Sequence, residues 1–315
     1  MSEDVSILLV NPIYAPTQQA LETQYQVHRL WEAEDKNEFL ASVADRVTGV
    51  VTDGGSGASA ELLARLPRVK VVSVFGVGVD SVDLDYCKAK GVRVGNTPDV
   101  LTDDVADLAV ALALASYRRL ASTQDYLRAG RWVSEGPAAL TTKFSGSMVG
   151  IFGLGRIGMA IAKRLEGFDC QISYCNRSKR TDVDYHYFPT VDALAEAVDC
   201  LILAVAPTPS MSGMIGSDVL RALGPDGHLV NISRGLLIDE AALVKALQEQ
   251  QIAGAGLDVY VAEPNVPPEL MAMDNVVLQP HVASGTVATR TAMGQLMLDN
   301  LSNYFAGKEL AAFVA

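Results

Sequence analysis

Three polar residues stand at the ends of apolar runs, and their types make a working chemical set. Arg234 lies in Ser233-Arg234-Gly235 after the apolar run 229–232. Glu263 lies in Ala262-Glu263-Pro264 after Asp258-Val259-Tyr260. His281 closes Gln279-Pro280-His281 after the run 275–278. A guanidinium can grip a carboxylate through two parallel hydrogen bonds and polarise the carbonyl beside it. An imidazole can hand a proton to an oxygen, and a neighbouring carboxylate fixes its tautomer. Together they suit the reduction of a carbonyl adjacent to an acid group, given a hydride donor alongside. Taken singly, each has an ordinary structural explanation: a surface ion pair, a cap, a satisfied histidine.

A second motif tips the balance towards chemistry. An apolar strand from Met148 runs directly into Gly153-Leu154-Gly155-Arg156-Ile157-Gly158, and residues 159–168 follow with helical apolar spacing. The first glycine allows a tight turn. The second lets the backbone approach a pyrophosphate, and the third lets the helix lie close to the strand. The helix N-terminus then offers free N–H groups and partial positive charge to the anion. A glycine pattern alone is weak, but here strand, turn, helix and next strand (171–175) stand in order.

That next strand ends in Asn176-Arg177-Ser178-Lys179-Arg180, about 20 residues past the glycines, where an NAD site places an acid for the ribose hydroxyls. Cations and neutral hydrogen-bonding groups stand there instead. They suit an adenosine 2′-phosphate, so the expected cofactor is NADP, with NADPH preferred over NADH. Further cofactor contacts are expected from Ala206, Pro207, Ile232, Ser233, Arg234, Asp258, His281, Ser284 and Gly285. Asp258 is placed to hold the nicotinamide amide or to cap a turn. His28, His186 and His228 have no comparable setting and are read as structural.

The elements that must position these residues alternate strand and helix, giving an open α/β chain with mostly parallel sheets. Strands are predicted at 5–10, 48–52, 69–74 and 92–94, with helices at 17–29, 58–66 and 84–90. A long helix at 101–120 leads into the second domain. Residues 128–147 lack periodicity and are read as a dimer arm, with Trp132 placed to reach a partner's active site. A last helix, 286–305, is expected to return to the first domain. The division is then 1–98 plus 288–315 for substrate and 99–287 for the dinucleotide. In the first domain, the glycine-rich stretches after Thr52 and after Val74 both follow strand ends, where open α/β sheets bind ligands.

Bulk properties narrow the class. The 315 residues favour two domains, and 49% hydrophobic with 20% charged content describes an ordered globular chain. A net charge of −12 argues against nucleic acid or an anionic membrane as partner. The four cysteines form no metal-ligand spacing, so no metal is expected, and their apolar settings fit a reducing compartment. The N-terminus shows no export signal, and the expected location is the cytoplasm.

The glycine turn, VNISRGLLIDEAAL, AGAGLDVY followed by EP, and LQPHVASGT together resemble the D-2-hydroxyacid dehydrogenase family over essentially the whole chain. FGVGVD at 75–80 and the NRS stretch are similar to the NADPH-dependent glyoxylate/hydroxypyruvate reductases and the related hydroxyphenylpyruvate reductases. The resemblance implies two Rossmann/flavodoxin-like domains with a cleft between them, and a homodimer built through the cofactor domains. It implies Arg234, Glu263 and His281 as the catalytic set, and carboxylate binding by the Val77 and Gly78 backbone. Gly54 is expected to join the substrate contacts, with Phe75 and Trp132 shaping the far end. The expected substrate is glyoxylate or hydroxypyruvate. A bulkier acid such as hydroxyphenylpyruvate or 2-ketogluconate is the alternative, and a non-catalytic dinucleotide sensor of the same fold ranks far lower.

Overall fold

A computed structural model describes residues 5–315. The chain forms two compact units, one of the described residues up to Leu101 with Thr286–Ala315, the other Thr102–Gly285. The first contains, in order, β1 (Ser6–Leu9), α1 (Ala15–Gln24), β2 (Gln26–Arg29), α2 (Lys36–Val43), β3 (Val47–Asp53), α3 (Ala60–Ala64), β4 (Val71–Phe75), α4 (Leu84–Lys90) and β5 (Arg93–Gly95). The second begins with α5 (Thr102–Tyr117), α6 (Leu120–Arg128) and α7 (Arg131–Glu135). It continues through β6 (Met148–Phe152), α8 (Arg156–Glu166), β7 (Gln171–Cys175), β8 (His186–Phe188), α9 (Val191–Glu196), β9 (Cys200–Leu203) and α10 (Ser217–Leu223). It ends with β10 (His228–Asn231), α11 (Glu240–Gln248), β11 (Gly254–Leu257), α12 (Pro268–Met271) and β12 (Val276–Leu278). The chain then returns to the first unit as α13 (Val287–Phe305).

Both sheets are wholly parallel. The five strands of the first unit run β2-β1-β3-β4-β5, and the seven of the second run β12-β11-β10-β9-β6-β7-β8. Parallel strands need a crossover between neighbours, so helices cover both faces and the strands become uniformly apolar. β1, β4, β9, β10 and β11 are buried at every position. In the second unit the strand order reverses at β6, which puts the β6 turn at the switch point where open sheets bind ligands.

Several sequence expectations change. The helix predicted at 17–29 ends at Gln24, and Gln26–Arg29 pairs in register with β1 as the edge strand β2. Its alternation is weak because an edge strand buries little, so periodicity did not separate it from the helix. The helix predicted at 101–120 stops at Tyr117, because Arg119 adopts a left-handed backbone (φ 46°) and α6 starts afresh. Part of the 128–147 stretch is helical, as α7. β8 has no counterpart in the sequence reading. The unit boundaries fall at Leu101/Thr102 and Gly285/Thr286, against 98/99 and 287/288 from sequence, because Thr102 begins α5 and Thr286 caps α13.

No helix among the described residues is long and apolar enough to cross a membrane. Cys87, Cys175 and Cys200 are buried, and burial raises their thiols, which keeps them protonated and unreactive.

His228, at the start of β10, is a structural histidine. Its Nδ1 lies 2.8 Å from Ser116 Oγ of α5, and its ring stacks on Tyr117 at 4.0 Å between centroids. Nε2 finds no partner among the described residues. Burial, with the Arg119 charge, pushes His228 down from 6.5 to about 4, against weaker opposing pulls from Asp199 and Asp226. Between those two values the unfolded chain binds a proton that the folded chain refuses. This stabilisation is therefore complete above pH 6.5 and is lost as pH falls towards 4. The loss is on the order of 3 kcal/mol. Unfolding free energy measured by urea titration across this range should fall less steeply in His228→Gln than in the unaltered protein. Parallel curves would show that His228 does not set the acid limb.

Candidate active site

The seven-stranded sheet brings the predicted set together because three neighbouring strands end beside one another. Arg234 follows β10, Glu263 follows β11 and His281 follows β12. Glu263 divides its two oxygens. Oε1 accepts the Tyr260 N–H at 2.9 Å, and Oε2 lies 2.7 Å from His281 Nδ1. An ionised carboxylate can only accept, so Nδ1 carries its hydrogen and Nε2 is left for the substrate. Burial raises the Glu263 carboxyl. The His281 hydrogen bond, the Tyr260 N–H and the charges of His281 and Arg234 outweigh that, and it sits below the usual carboxylate range. The imidazole is about half exposed, open to an incoming molecule.

Each member is held from behind by residues that the sequence reading did not single out. Asn231, fully buried at the end of β10, accepts the Ser233 N–H at 3.0 Å and donates to the Arg234 carbonyl at 3.0 Å. Arg234 Nη1 donates to the Ser233 carbonyl at 2.8 Å. Glu240, in the first turn of α11, accepts the Val261 N–H at 2.9 Å. The Tyr260 hydroxyl donates to the carbonyls of Leu257 at 3.2 Å and Gln279 at 2.9 Å, tying the Glu263 loop to the strand that carries His281. Gly235 presses against the Tyr260 peptide so closely that a Cβ would sit 1.9 Å from its carbonyl carbon. The only sequence signal for these residues is position: Asn231 and Tyr260 lie just past or at strand ends, and Glu240 opens a helix.

Asp258 caps the turn after His281, one of the two roles expected for it. Its Oδ1 accepts the Val282 N–H at 2.7 Å and its Oδ2 the Ala283 N–H at 2.9 Å, while its carbonyl accepts the His281 N–H at 2.8 Å. Burial raises its carboxyl, and those two N–H groups pull back only in part. Both oxygens are engaged in shaping the turn after His281, whose backbone is left-handed at φ 53°. Each carboxylate oxygen takes one turn N–H and keeps a further lone pair, so the cap leaves acceptor capacity for a nicotinamide amide. Ser284 and Gly285 complete the same turn, with Gly285 N–H bonded to the Val282 carbonyl. Ala206 and Pro207 lie past β9, and Ser233 Oγ donates to the Val205 carbonyl at 2.5 Å. Ile232 is buried behind them.

The glycine turn after β6 fits a dinucleotide pyrophosphate. Gly153 is left-handed (φ 103°), and a Cβ there would meet Val205 Cα at 2.4 Å. At Gly158 a Cβ would meet the Gly153 carbonyl oxygen at 2.2 Å. These two glycines let strand, turn and helix close on one another. Gly155 is different: a Cβ would meet nothing within 4 Å, and Gly155 and Arg156 are exposed at the start of α8. The N–H groups of a first helical turn have no intrahelical acceptors. An open space before a helix N-terminus is what a phosphate needs.

The loop after β7 carries the residues expected to meet the adenosine end of the cofactor. Arg177, Ser178 and Lys179 are exposed, with no side-chain partner among the described residues. Asn176 Oδ1 instead accepts the Leu154 N–H at 2.7 Å. Arg180 is not a free cation: it pairs with Asp182 through Nε at 2.9 Å and through Nη2, and Nη1 donates to the Leu154 carbonyl at 2.9 Å.

In the first unit, the stretch 75–79 follows β4, and Gly54 follows β3. Asp53 Oδ1 accepts the N–H groups of Gly55 and Ser56, and its Oδ2 accepts from Asn11 Nδ2 at 2.6 Å, which shapes the Gly54 turn. Val77 and Gly78 lie between β4 and the turn at Ser81 that closes on Ala58, and the Arg290 guanidinium stands over the Phe75 ring.

The pattern described as D-isomer specific 2-hydroxyacid dehydrogenase, NAD binding domain, matches residues 110–283. A hydroxyphenylpyruvate reductase of Plectranthus scutellarioides is 48% identical over 308 residues, covering 98% of each chain. The chain belongs to the D-2-hydroxyacid dehydrogenase family. A glyoxylate/hydroxypyruvate reductase of Arabidopsis thaliana is another member, 47% identical and again covering 98% of both chains. Among solved structures, the NADPH-dependent glyoxylate/hydroxypyruvate reductase of Sinorhizobium meliloti, crystallised with NADP and malonate, superposes with a TM-score of 0.93. It is 44% identical and covers 99% of this chain and 97% of its own. In this dehydrogenase the two parallel sheets, of five and seven strands, match the fold of that relative.

The two kinds of glycine separate folding from binding. Gly153→Ala should lower thermal stability by several degrees, since both its backbone angle and its space exclude a methyl group. Gly155→Ala should melt within about 2 °C of the unaltered protein yet bind dinucleotide at least about tenfold more weakly. Unchanged nucleotide affinity in Gly155→Ala, read by fluorescence titration, would remove the open space from the phosphate site.

Proposed function

We propose that the chain is an NADPH-dependent reductase that converts a small 2-oxo acid, glyoxylate or hydroxypyruvate, to the corresponding D-2-hydroxy acid. The observation that carries this reading is the Glu263–His281 pair on the same sheet edge as Arg234 and the glycine turn. The names of the similar reductases support the substrate class. Arg234 binds the substrate carboxylate through its planar fork and polarises the adjacent carbonyl. When NADPH is bound, its nicotinamide supplies hydride to the carbonyl carbon. His281, held by Glu263, gives a proton from Nε2 to the carbonyl oxygen, and in the oxidative direction the same nitrogen takes it back. The ionised Glu263 stabilises the charged imidazole and holds its ring in place.

We assign the dinucleotide to the second unit, expected from sequence at 99–287, and substrate recognition to the first, expected at 1–98 plus 288–315. In the latter, the backbone N–H groups of Val77 and Gly78 suit a carboxylate, and Gly54 lines the turn beside them. The NADPH preference rests on Arg177 and Lys179 and on the absence of an acid between Asn176 and Arg180. A bulkier 2-oxo acid, such as hydroxyphenylpyruvate, is the second reading, favoured by the 48% identical hydroxyphenylpyruvate reductase.

We read the enzyme as a cytoplasmic homodimer formed through the stretch 128–147. Trp132, Val133 and Leu140 there are 62%, 95% and 99% exposed, apolar surface of the kind that a partner covers. Sedimentation of the purified protein as a monomer would refute the dimer.

Nicotinamide absorbance should fall when NADPH is mixed with glyoxylate or hydroxypyruvate, faster than with hydroxyphenylpyruvate or 2-ketogluconate. His281→Ala should lower kcat by about a thousandfold or more with little change in NADPH affinity. Arg234→Lys should chiefly raise KM for the oxo acid. Near-normal turnover in the first variant, or an unchanged KM in the second, would withdraw the role assigned to that residue.

A further inference from the structure

The loop after β7 and the glycine turn after β6 meet at one buried residue, Leu154, and both of its backbone groups are taken by that loop. Asn176 Oδ1 accepts the Leu154 N–H at 2.7 Å, and Arg180 Nη1 donates to the Leu154 carbonyl at 2.9 Å. Leu154 is 1% exposed and lies between Gly153 and Gly155. A trans peptide directs its C=O and its N–H in opposite directions. Holding the Leu154 carbonyl towards the loop therefore aims the Gly155 N–H away from it, into the open space before α8.

The loop end that makes this contact is itself pinned. Arg180 N–H donates to the Tyr174 hydroxyl at 2.8 Å, and the hydroxyl of Tyr187 donates to the Asn176 carbonyl at 3.3 Å. The remaining edge of the Arg180 guanidinium faces Asp182, through Nε at 2.9 Å and Nη2, so its charge is matched locally. Arg177 and Lys179, between these anchors, are exposed with no side-chain partner among the described residues.

We infer that Arg180 is a positioning residue and not the third cation of the 2′-phosphate site: it clasps the glycine turn to the loop, while discrimination between the two dinucleotides rests on Arg177 and Lys179. The inference depends on the proposed reading in one respect, that a dinucleotide binds at the glycine turn. The pyrophosphate is common to NADPH and NADH, so loss of the clasp must weaken both equally. Loss of a phosphate ligand must weaken NADPH alone.

Dissociation constants for NADPH and NADH, measured by fluorescence titration of the full-length protein without substrate, separate the cases. Arg180→Met keeps the aliphatic stem and removes the donors. It should raise both constants about tenfold while their ratio stays within about twofold of the unaltered protein. Arg180→Lys retains a donor for the Leu154 carbonyl and should recover most of both affinities. If Arg180→Met does not fold, Arg180→Lys still decides, since a lysine that replaced a phosphate ligand would change the ratio. Arg177→Ala should weaken NADPH at least about tenfold and leave NADH unchanged. Selective loss of either dinucleotide in Arg180→Met, or no loss of either, overturns the inference. Should the unaltered protein prefer NADH, the proposed cofactor choice fails, but equal losses in Arg180→Met would still support the clasp.

Discussion

Glu263 accepts from two directions at once, a backbone N–H on one oxygen and the His281 imidazole on the other. Neither contact alone would hold the pair. An exposed carboxylate–imidazole contact is worth little against the entropy of two mobile side chains. Anchoring one oxygen to the backbone removes that freedom from the carboxylate, and the histidine then meets an acceptor already in place. The anchor works because Tyr260 is itself fixed, by its hydroxyl to Gln279 and by Gly235 pressing on its carbonyl. The proton transfer proposed for His281 therefore depends on packing between three loops, and Glu240 and Asn231 belong to that packing as much as the Glu263–His281 pair itself.

That arrangement follows from the parallel sheet. Because every strand of the seven-stranded sheet points the same way, the loops after β6, β9, β10, β11 and β12 emerge at one edge. Residues more than a hundred positions apart in sequence, from Gly153 to His281, arrive there without any long-range device other than strand register. The cost is that each loop must turn sharply against its neighbour. Gly153 and Gly235 stand where a side chain would collide with backbone, and His281 is driven into a left-handed conformation that Asp258 stabilises through two N–H groups.

The sequence made the fold class legible because periodicity and glycine spacing are local signals, and β6, its turn and α8 carry both. The types of Arg234, Glu263 and His281, each after an apolar run, were equally legible. Edge strands were not: β2 and β8 bury little, so their composition does not separate them from a loop or a helix end. The break at Arg119 was hidden because a left-handed arginine has no sequence signature. Arg180 and Asp258 show a further limit. Their side-chain types are consistent with ligand binding, but which way a charged group turns is decided by the nearest competing partner. Here those partners are Asp182 and the turn amides after His281.

Net charge illustrates the same point on a larger scale. The chain carries −12, yet the reaction proposed for it requires the capture of two anions, a dinucleotide phosphate and a carboxylate. At physiological ionic strength a charge is screened within about 8 Å, so the acidic surface at large contributes little at the site. Under the proposed reading, what acts on an arriving anion is the local set: Arg177 and Lys179 beyond β7, the N-terminus of α8, and Arg234 beyond β10. Acids near that edge are engaged with protein donors, Glu263 with His281 and Tyr260, Asp258 with the turn amides and Asp182 with Arg180. Within residues 176–182 the one acid, Asp182, is offset by Arg180, which leaves Arg177 and Lys179 as the uncompensated charges of that stretch, and that property belongs to the pairing pattern rather than to composition.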